Sequence, residues 1–145
     1  MAAATKAINT DERSGGFIEG LVAAAVVYAG TLGAADANGA VVPASDTAGL
    51  IVLGRVESVP LQDTFAIGDP VLIKRGVFIL NNSEANPLAA ANIGDICVVE
   101  DDNTVASTSV NKIGAGRFLG FADGDATLCI VDTMARPNTE NVLPA

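Results

Sequence analysis

Histidine and tryptophan do not occur in this 145-residue chain. Without an imidazole the commonest general base is gone, and with it the nucleophilic triads that use one and the histidine-containing zinc and haem sites. Basic charge is scarce as well. Eight Lys and Arg stand against 17 Asp and Glu, a formal net charge of -9, and no basic cluster interrupts the chain. A protein that neutralises phosphates needs the opposite sign, so no direct nucleic-acid partner is expected. Aromatic residues are only 4%, which leaves little for stacking against sugar rings or bases. Long apolar runs are missing too. The longest, Leu21 to Ala29, follows Glu19 and falls well short of the ~18 residues that span a bilayer. Met1 to Gly20 carries Asp11, Glu12 and Glu19 against Lys6 and Arg13, unlike the positive start of a secretory signal. Synthesis in the cytoplasm, with neither membrane insertion nor export, is the expectation.

Hydrophobic residues reach 50% and charged residues 17%, a balance that excludes a disordered chain. With so few aromatics the core must come from Val, Ile, Leu and Ala, and the length suits one domain. Apolar stretches recur at short intervals: Val22 to Tyr28, Leu50 to Val59, Val71 to Leu80, Ile93 to Val99, Arg117 to Phe121 and Thr127 to Val131. They are rich in β-branched residues and separated by turn chemistry such as Asn38-Gly39, Gly68-Asp69-Pro70, Asn81-Asn82-Ser83, Asp102-Asn103 and Asp123-Gly124-Asp125. Short strands at this spacing predict an all-β fold, a compact β-barrel or sandwich. Residues 1–16 read as an extended N-terminal arm, 17–132 as the β domain, and 133–145 as a polar C-terminal tail containing Pro137 and Pro144. The alanines of Leu21 to Tyr28 invite a helix, but Gly20, Gly30 and Gly33 confine the segment and Val26-Val27-Tyr28 favours strand. Leu88 to Ile93 is expected to form one helical turn with Pro87 at its first position.

No catalytic constellation assembles from the remaining residues, and no enzymatic activity or cofactor is expected. The serines include no Gly-x-Ser-x-Gly elbow, and Lys74 and Lys112 sit in no P-loop. Cys97 and Cys129 are each flanked by apolar strand residues and read as buried structural thiols, with a disulfide open only if their strands are neighbours. Glu100-Asp101-Asp102-Asn103 and Asp123-Gly124-Asp125 lack the ligand spacing of an EF-hand, and turns alone account for them better than a cation site. Gly114-Ala115-Gly116 reads as the start of a strand. Lys74-Arg75-Gly76 reads as a kink between two strand halves, with Gly76 in a conformation that a side chain would strain and both basic groups facing solvent or an acidic partner. Protein binding is what remains. In the arm, Ile8 is the one large aliphatic residue besides Met1, so the arm either gains order by adding a strand to a partner or stays disordered. Ile8, Arg13, Lys74 and Arg75 are the candidate partner-binding residues.

Several blocks occur together in order: Ala44-Ser45-Asp46-Thr47-Ala48-Gly49 before Val52-Leu53-Gly54-Arg55-Val56, then Lys74-Arg75-Gly76-Val77-Phe78, Asn86-Pro87-Leu88, Ile93-Gly94-Asp95 and Asp101-Asp102-Asn103-Thr104-Val105. From about Gly30 to Val131 the chain resembles a family of small tailed-phage and prophage structural proteins, among them the capsid cement or decoration proteins. The resemblance implies a β domain on the outer surface of the virion capsid that clamps major capsid protein subunits against genome pressure. It also implies neighbouring copies, as a homotrimer near three-fold positions, and no small-molecule substrate. The tail after Asp132 departs from shorter members of the family. A tail or baseplate component of the virion, or a bacterial carbohydrate-binding β domain, is the alternative reading.

Overall fold

β-branched residues at alternate positions favour strands whose two faces see different surroundings, and that is the texture of nearly all that is ordered here. The computed structural model describes residues 5–7, 17–60 and 62–135. Among these residues the chain is nearly all β. The first half carries β1 (Phe17–Leu21), β2 (Val27–Tyr28), β3 (Leu32–Ala35), β4 (Val41–Pro43), β5 (Ile51–Val56), β6 (Thr64–Phe65) and β7 (Pro70–Lys74). The second half carries β8 (Val77–Asn82), β9 (Ile96–Asp101), β10 (Thr104–Ala106), β11 (Gly114–Ala122) and β12 (Asp125–Asp132), with one 3-10 turn at Ala90–Asn92.

Three local expectations are corrected. Val22 to Tyr28 is not one strand: β1 ends at Leu21, Val22 makes a single bridge to Val41, and only Val27 and Tyr28 continue as β2. Ala23 to Ala25 offer no branched side chains to fill a pleat. Asn81-Asn82-Ser83 is no turn, since both asparagines lie in β8. Asn82 instead braces the following loop, accepting from the Leu88 N–H (2.8 Å) and donating to the carbonyls of Leu88 (3.0 Å) and Ala126 (2.9 Å). The helical turn starts at Ala90 rather than at Pro87.

Ten of the twelve strands pair in two sets with one pattern, while β2 pairs with β6 in a separate two-stranded sheet. The first sheet runs β1-β7-β5-β3-β4 and the second, a closed barrel, runs β8-β12-β11-β9-β10. The barrel closes through parallel pairing of β10 with β8, Val105 opposite Asn82. The first sheet curls the same way: Val22 bridges Val41 in parallel, and the Ala23 N–H donates to the Val41 carbonyl at 2.9 Å. The correspondence reaches single hydrogen bonds. Gly30 donates to the Val56 carbonyl and Val56 to that of Thr31; Gly94 donates to the Phe118 carbonyl and Phe118 to that of Asp95. Residues 17–74 and 77–132 are therefore two versions of one five-stranded module.

Gly54 in β5 and Gly116 in β11 occupy matching places. Their φ values are +149 and +152, and a Cβ would strike the carbonyl oxygen of Lys74 in one case and of Asp132 in the other. Only glycine allows the two backbones to approach so closely in that conformation.

One core fills the first module, with Val41, Val56, Phe65, Val71 and Ile73 at its centre. The second core is larger. It joins the barrel interior, including Leu80, Val99, Phe118 and Val131, to Leu32, Ala34, Leu50 and Val52 on the outer side of β3 and β5. Phe118 is fully buried, with its ring edge-on to Phe121 at a centroid distance of 5.3 Å. One face of the first module is thus covered by the second. The corresponding loops meet as well: the Asp46 carboxylate accepts from the N–H groups of Val110 (3.1 Å) and Asn111 (2.9 Å).

Arg75 and Gly76 link β7 to β8 and so carry the chain from module to module. The kink expected there exists, but its cause differs. Gly76 is not among the residues with positive φ, and a Cβ would meet the Phe78 ring at an ordinary 3.4 Å. The crossing is held by Thr133, whose N–H (2.8 Å) and Oγ1 (2.8 Å) donate to the Gly76 carbonyl while Oγ1 accepts from the Gly76 N–H (2.9 Å). Thr133→Val keeps the shape and deletes the hydroxyl. It is expected to lower stability by about 1–2 kcal/mol, because the Gly76 N–H is left unpaired in a part-buried site, whereas Gly76→Ala costs under about 1 kcal/mol since no special backbone conformation is at stake. Urea midpoints of the two variants check both values.

Candidate protein-binding surface

Two of the four residues singled out from the sequence, Ile8 and Arg13, lie outside the described residues, as does nearly all of the arm. Lys74 ends β7 and Arg75 follows it, both exposed. The Lys74 ammonium sits 5.9 Å from the centroid of the Phe17 ring, its cross-strand partner on β1. Arg55, opposite Lys74 on β5, belongs with them: its guanidinium lies 4.4 Å over the Phe78 ring and donates to Glu57 at 2.8 Å. Sequence reasoning passed over Arg55 because its neighbourhood is made by strands distant in the chain.

Acidic groups sit in two hairpin turns of the barrel. The β9–β10 turn with Asp101 and Asp102 and the β11–β12 turn with Asp123 and Asp125 lie at opposite ends, since β9 and β11 are antiparallel neighbours and each turn follows the C-terminal end of its strand. The two acidic clusters read separately in the sequence stay apart in the fold. Burial, and then the neighbouring Asp101, push the Asp102 carboxyl up, while hydrogen bonds from Thr127 hold Asp125 down. At the end of β8 opens a polar cleft of about 470 Å³ lined by Asn81, Glu84, Glu100, Thr104 and Thr127. Ser83, buried nearby, donates to Glu100 at 2.6 Å and accepts from the Asn86 N–H at 3.0 Å. Its hydroxyl is thereby committed to holding the loop. Among the described residues, no three of Cys, Asp and Glu group as metal ligands would, and no helix is long and apolar enough to cross a membrane.

Cys97 and Cys129 are free and fully buried inside the barrel. They sit on β9 and β12, which flank β11 from either side rather than pairing with each other. Cys97 Sγ donates to the Gly116 carbonyl at 3.3 Å. Burial, and then the neighbouring Cys129, push Cys97 up to about 12; burial pushes Cys129 up to about 11. Neutral thiols are poor nucleophiles. Because both folded values exceed the ordinary 9.0, the native state holds its protons where the unfolded chain has lost them. Their contribution is complete below pH about 9 and is lost as pH rises toward 11–12. Denaturant midpoints are expected to hold from pH 7 to 8.5 and fall by pH 10.5, and a Cys97→Ala/Cys129→Ala double variant should show a shallower fall.

Large apolar side chains left outside are the more telling feature. Val77 (51% exposed) and Ile79 (58%) on β8, Leu119 on β11 and Ile93 cover the outer side of the barrel, with Ile130 half-buried between them. Phe17 and Leu21 (59%) on β1 do the same for the first module. No family model, curated protein or solved structure matches this chain, so its function rests on the surface just described.

Proposed function

We propose that this chain is a capsid cement protein. It binds the outer surface of an assembled tailed-phage shell and clamps adjacent major capsid protein subunits against the outward push of the packaged genome. The single observation that carries this reading is a rigid two-module β body that leaves large aliphatic side chains exposed on an otherwise acidic surface. Apolar patches on a soluble protein mark protein–protein contact, and the block resemblance to phage structural proteins names the class of partner. Net negative charge suits an exterior site, away from the DNA. In this reading the chain sits as trimers around three-fold positions, with Lys74 and Arg75 at acidic patches of a subunit, and acts by contact alone, without catalysis or cofactor.

The test is addition of the purified chain to mature shells that lack it. It should occupy a repeating lattice of outer sites in a reconstruction and raise the temperature at which genome-filled particles burst. Density in the tail, inside the shell or nowhere in the particle would overturn the reading.

A further inference from the structure

The polar cleft at the end of β8 is built by four strands: Asn81 and Asn82 on β8, Glu100 on β9, Thr104 on β10 and Thr127 on β12, with Glu84 just beyond β8. Hydrogen bonds inside the protein decide what these groups can still offer a ligand. Both amide hydrogens of Asn82 are engaged, by the carbonyls of Leu88 (3.0 Å) and Ala126 (2.9 Å). The Thr104 hydroxyl donates to Asn103 Oδ1 at 2.9 Å, and that of Thr127 to Asp125 Oδ1 at 2.7 Å. A hydroxyl whose proton is engaged can only accept. Glu100 receives the buried Ser83 hydroxyl on Oε1, which fixes the carboxylate and leaves Oε2 to the cleft. Glu84 is exposed, and among the described residues no Lys or Arg pairs with it or with Glu100. Apart from the Asn81 amide, the cleft is an array of acceptors that includes two carboxylates.

We propose that this cleft is a guanidinium site, filled by an arginine side chain of the partner subunit. This rests on the capsid reading and gives the chemistry of one contact within it. An anion is repelled by Glu84 and Glu100. A sugar hydroxyl needs donors as well as acceptors, and no aromatic ring lines the cleft for its apolar face. A hard divalent cation gathers several oxygens at about 2.0–2.6 Å, and no three acidic groups among the described residues stand together in that way. A guanidinium carries five N–H donors in one plane and no acceptor, which is the complement of a pocket rich in acceptors, and a carboxylate can receive it through two parallel bonds. The three donors of an ammonium radiate from one point, whereas these acceptors are spread over several strands. Lys74 and Arg75 precede β8 and the cleft follows it. One strand thus separates a basic contact from an acidic one, and a partner must present charges of both signs in that order, which sets register as well as affinity.

Two titrations of the full chain test this. In the first, acetyl-arginine amide is added while the backbone amide resonances are followed by NMR, with acetyl-citrulline amide as a probe of the same shape without the charge. Arginine is expected to shift Asn81, Glu84, Glu100 and Thr104 saturably at millimolar concentration, and citrulline to leave them in place. A Glu84→Gln/Glu100→Gln double variant should lose the response; circular dichroism checks its fold, and Glu84→Gln alone, at an exposed position, replaces it if it fails. No local shift with arginine, or equal shifts with both probes, would overturn the guanidinium site. Binding of free arginine tighter than ~10 μM would make the cleft a small-molecule site and overturn the choice of partner. In the second titration, mature shells lacking the protein receive the unchanged chain, the double variant or Glu19→Gln, which removes a carboxylate from the other module. The double variant is expected to bind ~10-fold to 100-fold more weakly, and Glu19→Gln close to the unchanged chain. If the double variant binds shells as the unchanged chain does, this inference falls and the cement reading stands. If the unchanged chain does not bind shells, the cement reading falls and takes the capsid arginine with it, while the first titration still decides whether the cleft takes a guanidinium.

Discussion

Gly116→Val is expected to lower the melting temperature by on the order of 10 °C or to prevent folding. At φ +152 a branched residue is strained by about 1–3 kcal/mol before any contact is considered. The added Cβ then meets the Asp132 carbonyl oxygen, a backbone atom in the β11–β12 pairing that cannot swing aside as a side chain would. Relieving that overlap separates the strands over the core that holds Phe118, where burial of one such side chain is worth about 1.5–3 kcal/mol. A chain of this size loses about 2–4 °C per kcal/mol, which sets the scale of the shift. Gly54→Val should do the same to the first module for the same reason, as the Lys74 carbonyl stands where that of Asp132 does. Gly76→Ala is the contrast. Thermal melts of the three variants check the argument, and a melt of Gly116→Val within 2 °C of the unchanged chain would refute it.

Binding to the assembled shell is expected to exceed binding to isolated capsid subunits by ~100-fold to 10,000-fold. The proposed site is composite, and a lone subunit offers only part of it, so the gain from linked contacts is forfeited. Titration of fluorescent protein onto shells and onto soluble subunits at one salt concentration gives the ratio directly. A ratio near one would show that one contact carries all the affinity. Salt adds a second signature. The Debye length is about 10 Å at 0.1 M and about 3 Å at 1 M, so raising ionic strength should slow association more than it speeds release.

Strand content was legible because its signals are local. β-branched runs of four to eight residues predict strands, and the hairpin turns at Asn38-Gly39, Asp102-Asn103 and Asp123-Gly124 predict themselves from residues that tolerate tight backbone geometry. The turns fall where expected: β3 to β4, β9 to β10 and β11 to β12. Asn81-Asn82-Ser83 misled for an equally physical reason. Their turn preference is real, but Asn82 gains three hydrogen bonds to Leu88 and Ala126 by staying in β8, and one of these partners is 44 residues away. Gly76 misled in the other direction, because a glycine between two strand halves fits a strained kink and a plain crossing equally well.

Lys74 and Arg75 were visible as candidates, yet their setting was not. Cation–ring contacts between Lys74 and Phe17 and between Arg55 and Phe78 join residues 57 and 23 positions apart, and a one-dimensional pattern carries no term for such a pair. The duplication was hidden for the same reason. Gly54-Arg55-Val56 and Gly116-Arg117-Phe118 are its clearest trace in the chain, three residues long and unremarkable until their carbonyl partners are seen.

By itself the sequence determined that this protein is all-β, acidic, poor in aromatic side chains and without an imidazole, since composition, alternation and turn chemistry act within a few residues of where they are written. Tertiary structure alone decided that the strands form two like modules, that Leu32, Ala34 and Val52 face the other module while Leu21 and Ile79 face solvent, and that the two acidic turns lie at opposite ends of the barrel. Alternation states that a strand has two unlike faces; what covers each is settled only when residues far apart in the chain gain more from burial against one another than the closing of the loop between them costs.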